Sequence, residues 1–381
     1  MATKNSDYNM HTLKTKDLTQ NLLATIQVGG NVAIFGRRGS GKTEIAKQCI
    51  RDSKVDGKQC KEVYINLSVL ERVDLGGYPD LMSFNSDSQK QKKFVDFLLP
   101  RYLEKLTDGD SPIILLLDEV DKADNALQAP LLEITQFRSV NGRPLPNLHC
   151  CVMTGNLISE GSQRPSLPLL DRAEKYLIEP DAHMWLEWAG KGGNIHPSVT
   201  AFINDHPGEL FGEMNDGDNY ADPSPRGWKQ GSNLVAFGEE NGWGGDLIST
   251  KIFGSVGKKA GMKFKMYFDH YQHILPMIDK IMKGEDLGRT YDGLEKTKQI
   301  IVNMVLFARL ARILDDSMAK AGKKQLPKEV DHVGKFIERV EPEMILIAAR
   351  TQIGIDRFMK SSLDDVPAWA KALKLIQKKL G

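Results

Sequence analysis

Cysteine is scarce: there are four in 381 residues, Cys49, Cys60, Cys150 and Cys151, and no two form a C-x-x-C pair. That excludes the disulfide framework of a small secreted domain and gives no zinc module. Cys150 and Cys151 are adjacent in an expected strand, where neighbouring side chains point to opposite faces, so both are expected as reduced, packed thiols. An excess of one charge is missing too. With 51 Lys and Arg against 50 Asp and Glu, the formal charge is +1, which gives no global pull towards nucleic acid or an anionic membrane. No hydrophobic run reaches the length of a bilayer span. The most apolar stretch, Ile300 to Leu314, is broken by Asn303, Arg309 and Arg312 and reads as a buried helix. Met1 to Gln20 is polar and lacks the apolar centre of a secretory signal. No internal repeat or low-complexity tract is present. A soluble, cytoplasmic chain is expected. Its 41% hydrophobic and 27% charged residues are ordinary for a globular protein, and 381 residues suit two domains or one domain with an appendage.

The first half alternates short apolar runs with helical patterns, as a parallel α/β sheet requires. Strands are expected at Val32–Phe35, Val63–Leu67, Ile113–Leu117, Cys150–Thr154 and Tyr176–Ile178. From Asp181 onward the pattern turns helical. Asp205 to Asp222 is rich in acid and glycine, Gly238 to Gly245 is rich in glycine, and both read as long loops. Asp292 to Gly381 reads as helical throughout, with Pro367 suited to the first turn of a helix over Val366–Leu380. The five tryptophans, Trp185, Trp188, Trp228, Trp243 and Trp369, all lie in the second half, where packing is their expected work.

Directly behind Val32–Phe35 stands Gly36-Arg37-Arg38-Gly39-Ser40-Gly41-Lys42-Thr43, which fits the phosphate-loop pattern G-x-x-x-x-G-K-[ST] between a strand and a helix. Glycines let the backbone curl so that successive N–H groups face phosphate oxygens, and the following helix N-terminus adds partial positive charge. Lys42 is placed to reach the β- and γ-phosphates, and the Thr43 hydroxyl to ligate Mg²⁺. The run Ile113 to Leu117 ends in Asp118-Glu119, the form of a Walker B strand. There Asp118 would hold the magnesium shell and Glu119 would polarise a water for attack on the γ-phosphate. Asn141-Gly142 is a two-residue hairpin signal. Cys150-Cys151-Val152-Met153-Thr154 runs into Gly155-Asn156, which sets an amide at the sheet edge, and Leu169-Leu170-Asp171-Arg172 follows.

This order of phosphate loop, Asp-Glu strand, hairpin, Thr-Gly-Asn and Leu-Leu-Asp-Arg resembles an AAA+ ATPase of the MoxR type, a branch similar to the magnesium-chelatase and dynein-related ATPases. The likeness covers Asn31 to about Pro180, and Ser224-Pro225-Arg226-Gly227-Trp228 resembles the second sensor motif of the helical lid. It implies an α/β fold: a P-loop AAA+ core with a parallel sheet sandwiched by helices over residues 1–180. A helical lid over 181–290 and a helical C-terminal extension over 291–381 would follow. It further implies that Asn156 is the first sensor, orienting the attacking water with Glu119, that Arg172 is an arginine finger reaching a neighbour's site, and that Arg226 is the second sensor. An aromatic often follows the finger in that family, whereas Ala173-Glu174 follow here, and Arg164 is a spare candidate.

The implied machine binds ATP and Mg²⁺, forms a homo-oligomeric ring, in the family a hexamer, and does chaperone-like remodelling with a protein partner that carries a von Willebrand factor A domain. Gly76-Gly77-Tyr78 and the Asn141-Gly142 hairpin are candidate pore-facing loops. The alternative is an AAA+ motor or loader on nucleic acid, supported by the crowding of Lys258, Lys259, Lys263 and Lys265, but with no recognisable nucleic-acid module. A nucleotide switch with little turnover is disfavoured by intact Glu119, Asn156 and Arg172. His270 and His273 share a helix spacing that can ligate metal, yet no third ligand accompanies them, and a solvent-facing pair is expected.

Overall fold

A computed structural model describes residues 10–80, 96–107, 110–157, 164–179, 181–212, 223–319, 327–353, 369 and 373–374. The chain divides into two compact units, Met1–Pro180 and Asp181–Gly381.

The first unit is built on a six-stranded sheet of β1 (His11–Lys14), β2 (Val32–Phe35), β3 (Lys61–Asn66), β4 (Ile113–Asp118), β5 (Leu148–Gly155) and β6 (Glu174–Glu179). Their order across the sheet is β1-β6-β2-β5-β4-β3, and every pairing is parallel. β2, β4 and β5 are central and buried on both faces, so their sequences are continuous apolar runs rather than alternating ones. The period of two still sorts their side chains between two cores. Val32, Ile34, Ile114, Leu116, Cys150 and Val152 face one layer, with Leu18, Leu22 and Ile26 of α1 (Thr15–Gln27) and Ala46, Cys49 and Ile50 of α2 (Lys42–Asp52). Ala33, Phe35, Leu115, Leu117, Cys151 and Met153 face the other, with Leu131 and Ile134 of α3 (Gln128–Phe137) and with Leu169 and Leu170. The result is a helix–sheet–helix sandwich. Cys150 and Cys151 do point to opposite sides, and all four thiols are buried and free.

All five expected strands are present, each within a few residues of its expected ends. β1 was not expected: of its four residues only Leu13 is buried, so a short polar edge strand carries almost no periodic signal.

The second unit is helical among the described residues. It comprises α4 (Ala182–Trp188), α5 (Pro197–Asp205), α6 (Pro225–Glu240), α7 (Gly245–Val256), α8 (Lys258–Lys283), α9 (Lys296–Ala319), α10 (Lys328–Ile337) and α11 (Pro342–Gln352). One hydrophobic core runs through it from Trp185 to Leu373. Ile300 to Leu314 lies in α9; Arg309 reaches out to Asp279 at 2.6 Å, and the buried Asn303 donates to Tyr291 Oη at 3.0 Å. No described helix is long and apolar enough to cross a membrane.

The glycine-rich stretch Gly238–Gly245 is not a long loop. α6 continues to Glu240 and α7 begins at Gly245. A Cβ on Gly238 would meet Ile248 Cγ1 at 2.8 Å, so glycine there serves close helix packing rather than a turn. Of the expected loop 205–222, the chain leaves α5 at Asp205 and makes a 3₁₀ turn at Pro207–Glu209, while residues 213–222 lie outside the described set. The helix expected over 366–380 also lies outside it, except for Trp369, Leu373 and Lys374, which are helical. Trp228 and Trp369 are fully buried, with indole N–H groups donating to Glu209 O and Val330 O, both at 2.8 Å, whereas Trp188 is exposed.

Candidate active site

β2 delivers the chain at the C-terminal edge of the sheet, where Gly36 to Gly41 turn into α2. Gly39 and Gly41 have φ of 73° and 87°, a left-handed backbone that other residues adopt only with strain, and Gly41 caps α2. The first-turn N–H groups of α2, which have no acceptor within the helix, therefore open onto this edge. Lys42 is buried beneath the loop. Its ammonium donates to Gly36 O and Arg37 O at 2.8 Å each and to Asn156 Oδ1 at 3.2 Å. The buried hydroxyl of Ser40 has no hydrogen-bond partner among the described residues. Arg37 is half-buried and Arg38 exposed on the same loop.

β4 ends beside it. The Thr43 hydroxyl stands 3.2 Å from both carboxylate oxygens of Asp118. Asp118 Oδ1 also accepts from the Thr154 hydroxyl and from the backbone N–H of Glu119 at 3.0 Å, and Oδ2 accepts from the Tyr64 hydroxyl at 3.0 Å. β5 lies between β2 and β4, so the residue just past its end, Asn156, falls between the loop and Asp118. Asn156 is fixed from behind by Asp121, which is 1% exposed. Asp121 Oδ1 accepts from the Asn156 N–H at 2.9 Å and its Oδ2 faces the amide nitrogen at 3.4 Å.

Glu119 begins a 3₁₀ turn in a left-handed conformation with φ 56°, rare for a residue with a side chain. Its carboxylate pairs with Lys122 Nζ at 2.8 Å. Lys122 holds it below the ordinary carboxylate range; burial opposes this, and Ser68 and Arg38 add to the lowering. Glu119 is thus ionised at neutral pH, as a water-orienting base must be.

Two hydrogen-bonded sets therefore meet at this edge, Lys42 with Asn156 and Thr43 with Asp118, linked through the adjacent residues Lys42 and Thr43 of α2, with Glu119 adjoining. The donor set suits Mg²⁺, a hard cation that takes hydroxyl and carboxylate oxygens. The partnerless Ser40 hydroxyl and the open helix N-terminus suit a phosphate. Arg172 is in neither set. It follows a short helix, Leu167–Leu170, and its backbone carbonyl accepts from Asn31 at the start of β2. The loop leaves the other end of β2, about 16 Å of strand away. Gln136 Oε1 receives Arg172 Nε at 2.8 Å and Nη2 at 2.6 Å, and Pro168 O receives Nη1. Arg164 and Arg172 line one open cavity of about 610 Å³ together with His11 and Lys175. Arg226 belongs to the second unit, exposed in the first turn of α6 behind its cap Ser224.

The Asn141-Gly142 turn is a hairpin with both residues at positive φ, 49° and 72°. Glu133 accepts from both of their N–H groups, at 3.0 and 2.8 Å. Asn141 in turn donates to Gly76 O, which ties this hairpin to the second candidate loop. There Tyr78 is 55% exposed, in a two-residue strand paired with Phe97–Leu98. His270 and His273 are both exposed on α8.

Reading the sequence did not identify Tyr64, Thr154, Lys122 or Gln136. Only strand register brings the first two to Asp118, and no local pattern announces that.

No protein-family model matches the chain, and no curated protein does either. Among solved structures, NtrX from Brucella abortus in complex with ADP is 16% identical with a TM-score of 0.37, over 58% of this chain and 49% of that one. The chain thus spans about half the length of NtrX. Orc1 from Aeropyrum pernix in complex with DNA is 14% identical with a TM-score of 0.32, over 81% of this chain and 74% of that one.

Proposed function

We propose that the chain is a Mg²⁺-dependent ATPase of the AAA+ superfamily, of MoxR type, acting as a ring-shaped, chaperone-like motor on a protein partner. The observation that carries this is the meeting of Lys42, Thr43, Asp118 and Asn156 at the sheet edge onto which the N-terminus of α2 opens. Lys42 now donates to its own loop, and a γ-phosphate oxygen would replace one of those carbonyl acceptors. Thr43 and Asp118 would hold Mg²⁺, which when bound supplies positive charge at the β- and γ-phosphate oxygens. Glu119, turned from Lys122 towards the crevice, would orient a water together with Asn156.

The position of Arg172 supports an assembly. In its own chain it lies at the opposite end of β2 from the loop, so it would meet a γ-phosphate only at a neighbour's site, adding to the charge that Lys42 supplies from within. Such a residue supplied in trans is worth on the order of 10³ to 10⁵ in rate. Loss of the γ-phosphate would then remove contacts shared by two subunits and let their interface shift, which is how hydrolysis would do work on a client. A partner with a von Willebrand factor A domain and a hexameric ring remain part of this proposal through the family likeness alone.

Action on nucleic acid is the weaker reading. Of the four clustered lysines, Lys263 is paired with Glu209 and Lys265 with Asp246. DNA-stimulated hydrolysis with a steep salt dependence would reverse that preference.

The test is Glu119→Gln, which should bind ATP without splitting it. Sedimentation with ATP should give a discrete multimer that disperses in ADP. A monomer under both conditions would refute the ring, and wild-type turnover by the variant would refute the role of Glu119.

A further inference from the structure

Asp118 is held by more than its loop partner. β3 alternates, so Val63 and Ile65 enter the core on one face while Tyr64 stands on the face of α2. Its hydroxyl donates to Asp118 Oδ2 at 3.0 Å, and Lys47 Nζ of α2 lies 4.5 Å from the centre of its ring. Oδ1 has other donors, the Thr154 hydroxyl and the Glu119 N–H. Oδ2 has Tyr64 and Thr43. Thr43 has a single proton, which it can give to only one of the two oxygens at a time. A carboxylate turns easily about its last torsion, so its plane is fixed only if donors hold both oxygens.

We propose that Tyr64 is a positioning residue for the metal half of the site: its hydroxyl sets the plane of the Asp118 carboxylate, and so sets how well Thr43 and Asp118 together receive Mg²⁺. This rests on the assignment of those two residues to the magnesium shell. Tyr64 touches neither nucleotide nor metal in this scheme. Partners that orient a metal-holding group in this way typically change metal affinity by about 10- to 100-fold when removed. The lower figure is expected here, because Thr154 and the Glu119 N–H still hold the other oxygen. Tyr64→Phe keeps the ring and its contact with Lys47, so only the hydroxyl is lost.

The experiment uses the full chain and a fluorescent ADP. Affinity is measured in excess EDTA, and Mg²⁺ is then titrated into the ADP-bound protein. For Tyr64→Phe the Mg²⁺ midpoint should rise about tenfold, with the EDTA affinity equal to wild type. An unchanged or lower midpoint overturns the proposal, as does an EDTA affinity that falls by the same factor, since that is what a merely structural role would give. If wild type binds no ADP in either buffer, the nucleotide site itself is refuted, and this assignment falls with it.

Discussion

Asp121→Ala separates the positioning of Asn156 from nucleotide binding. Asp121 is 1% exposed, and Asn156 is its partner through both the backbone N–H at 2.9 Å and the amide at 3.4 Å. Truncation leaves a buried N–H with no acceptor, at a cost of about 1–3 kcal/mol in stability. The amide of Asn156 then loses this support and keeps its contact with Lys42 Nζ. A shift of about 1 Å in a group that places a reactant can lower turnover by roughly 10²-fold. Lys42 keeps its acceptors at Gly36 and Arg37, and Thr43 and Asp118 are untouched, so ADP affinity should change by less than about threefold, under 1 kcal/mol. Steady-state ATPase gives kcat and KM, fluorescent ADP gives affinity, and urea unfolding gives stability. Asp121→Asn, which retains an oxygen for the shorter bond, should recover most of the stability. A folded Asp121→Ala protein with kcat within twofold of wild type would show that Asn156 is not held by Asp121 for catalysis. A rise in KM with kcat unchanged would place Asn156 in ground-state binding instead.

Mixing Arg172→Ala with Lys42→Ala, each inactive alone, should restore part of the ATPase, because some interfaces then join an intact loop to an intact arginine; no recovery at any ratio refutes action in trans. Gln136→Ala frees the Arg172 guanidinium from Gln136 Oε1 and should lower kcat several-fold while ADP binding stays at wild-type strength; equal loss of both would contradict it. Gly238→Ala places a methyl 2.8 Å from Ile248 Cγ1. Overpacking of this kind costs about 1–3 kcal/mol against a helix-propensity gain of up to ~1 kcal/mol, so the melting temperature should fall by a few degrees, at about 2–4 °C per kcal/mol. An increase would show that α6 and α7 can separate freely. Burial raises the Asp205 carboxyl above the ordinary range, opposed by the Tyr267 hydroxyl 2.9 Å away, by Asn204 and by His206. The folded chain therefore binds that proton more tightly than the unfolded one, and the group costs stability once pH rises through its raised folded value. Asp205→Asn should melt higher than wild type at neutral pH, an advantage that fades below the ordinary carboxylate range; an advantage that grows on acidification would give the shift the opposite sign.

The central sheet was legible because β2, β4 and β5 are buried on both faces and so appear as uninterrupted apolar runs. The polar residues at their C-terminal ends, Gly36 to Thr43, Asp118 and Asn156, follow from where a parallel sheet offers its crevice. Edge and register were not legible. β1 has one buried side chain in four, and Tyr64 and Thr154 bond Asp118 directly from neighbouring strands, 54 and 36 residues away in sequence. Glycine misled at Gly238, where the same residue type that makes turns instead lets two helices approach. Composition also hid how Glu119 is held, because its partner Lys122 matters through a left-handed turn that the string Asp-Glu-Val-Asp-Lys does not reveal.

Titration of the purified full chain with ATP, with and without Mg²⁺, for wild type and for Lys42→Ala reaches the nucleotide site most directly. Wild type should bind ATP more tightly with Mg²⁺ and release phosphate, while Lys42→Ala should lose about tenfold or more in affinity, 1.4 kcal/mol or more, together with turnover. Equal ATP affinity in the two proteins, or no binding by wild type at any concentration of protein, would contradict the convergence of Lys42, Thr43 and Asp118 on a triphosphate.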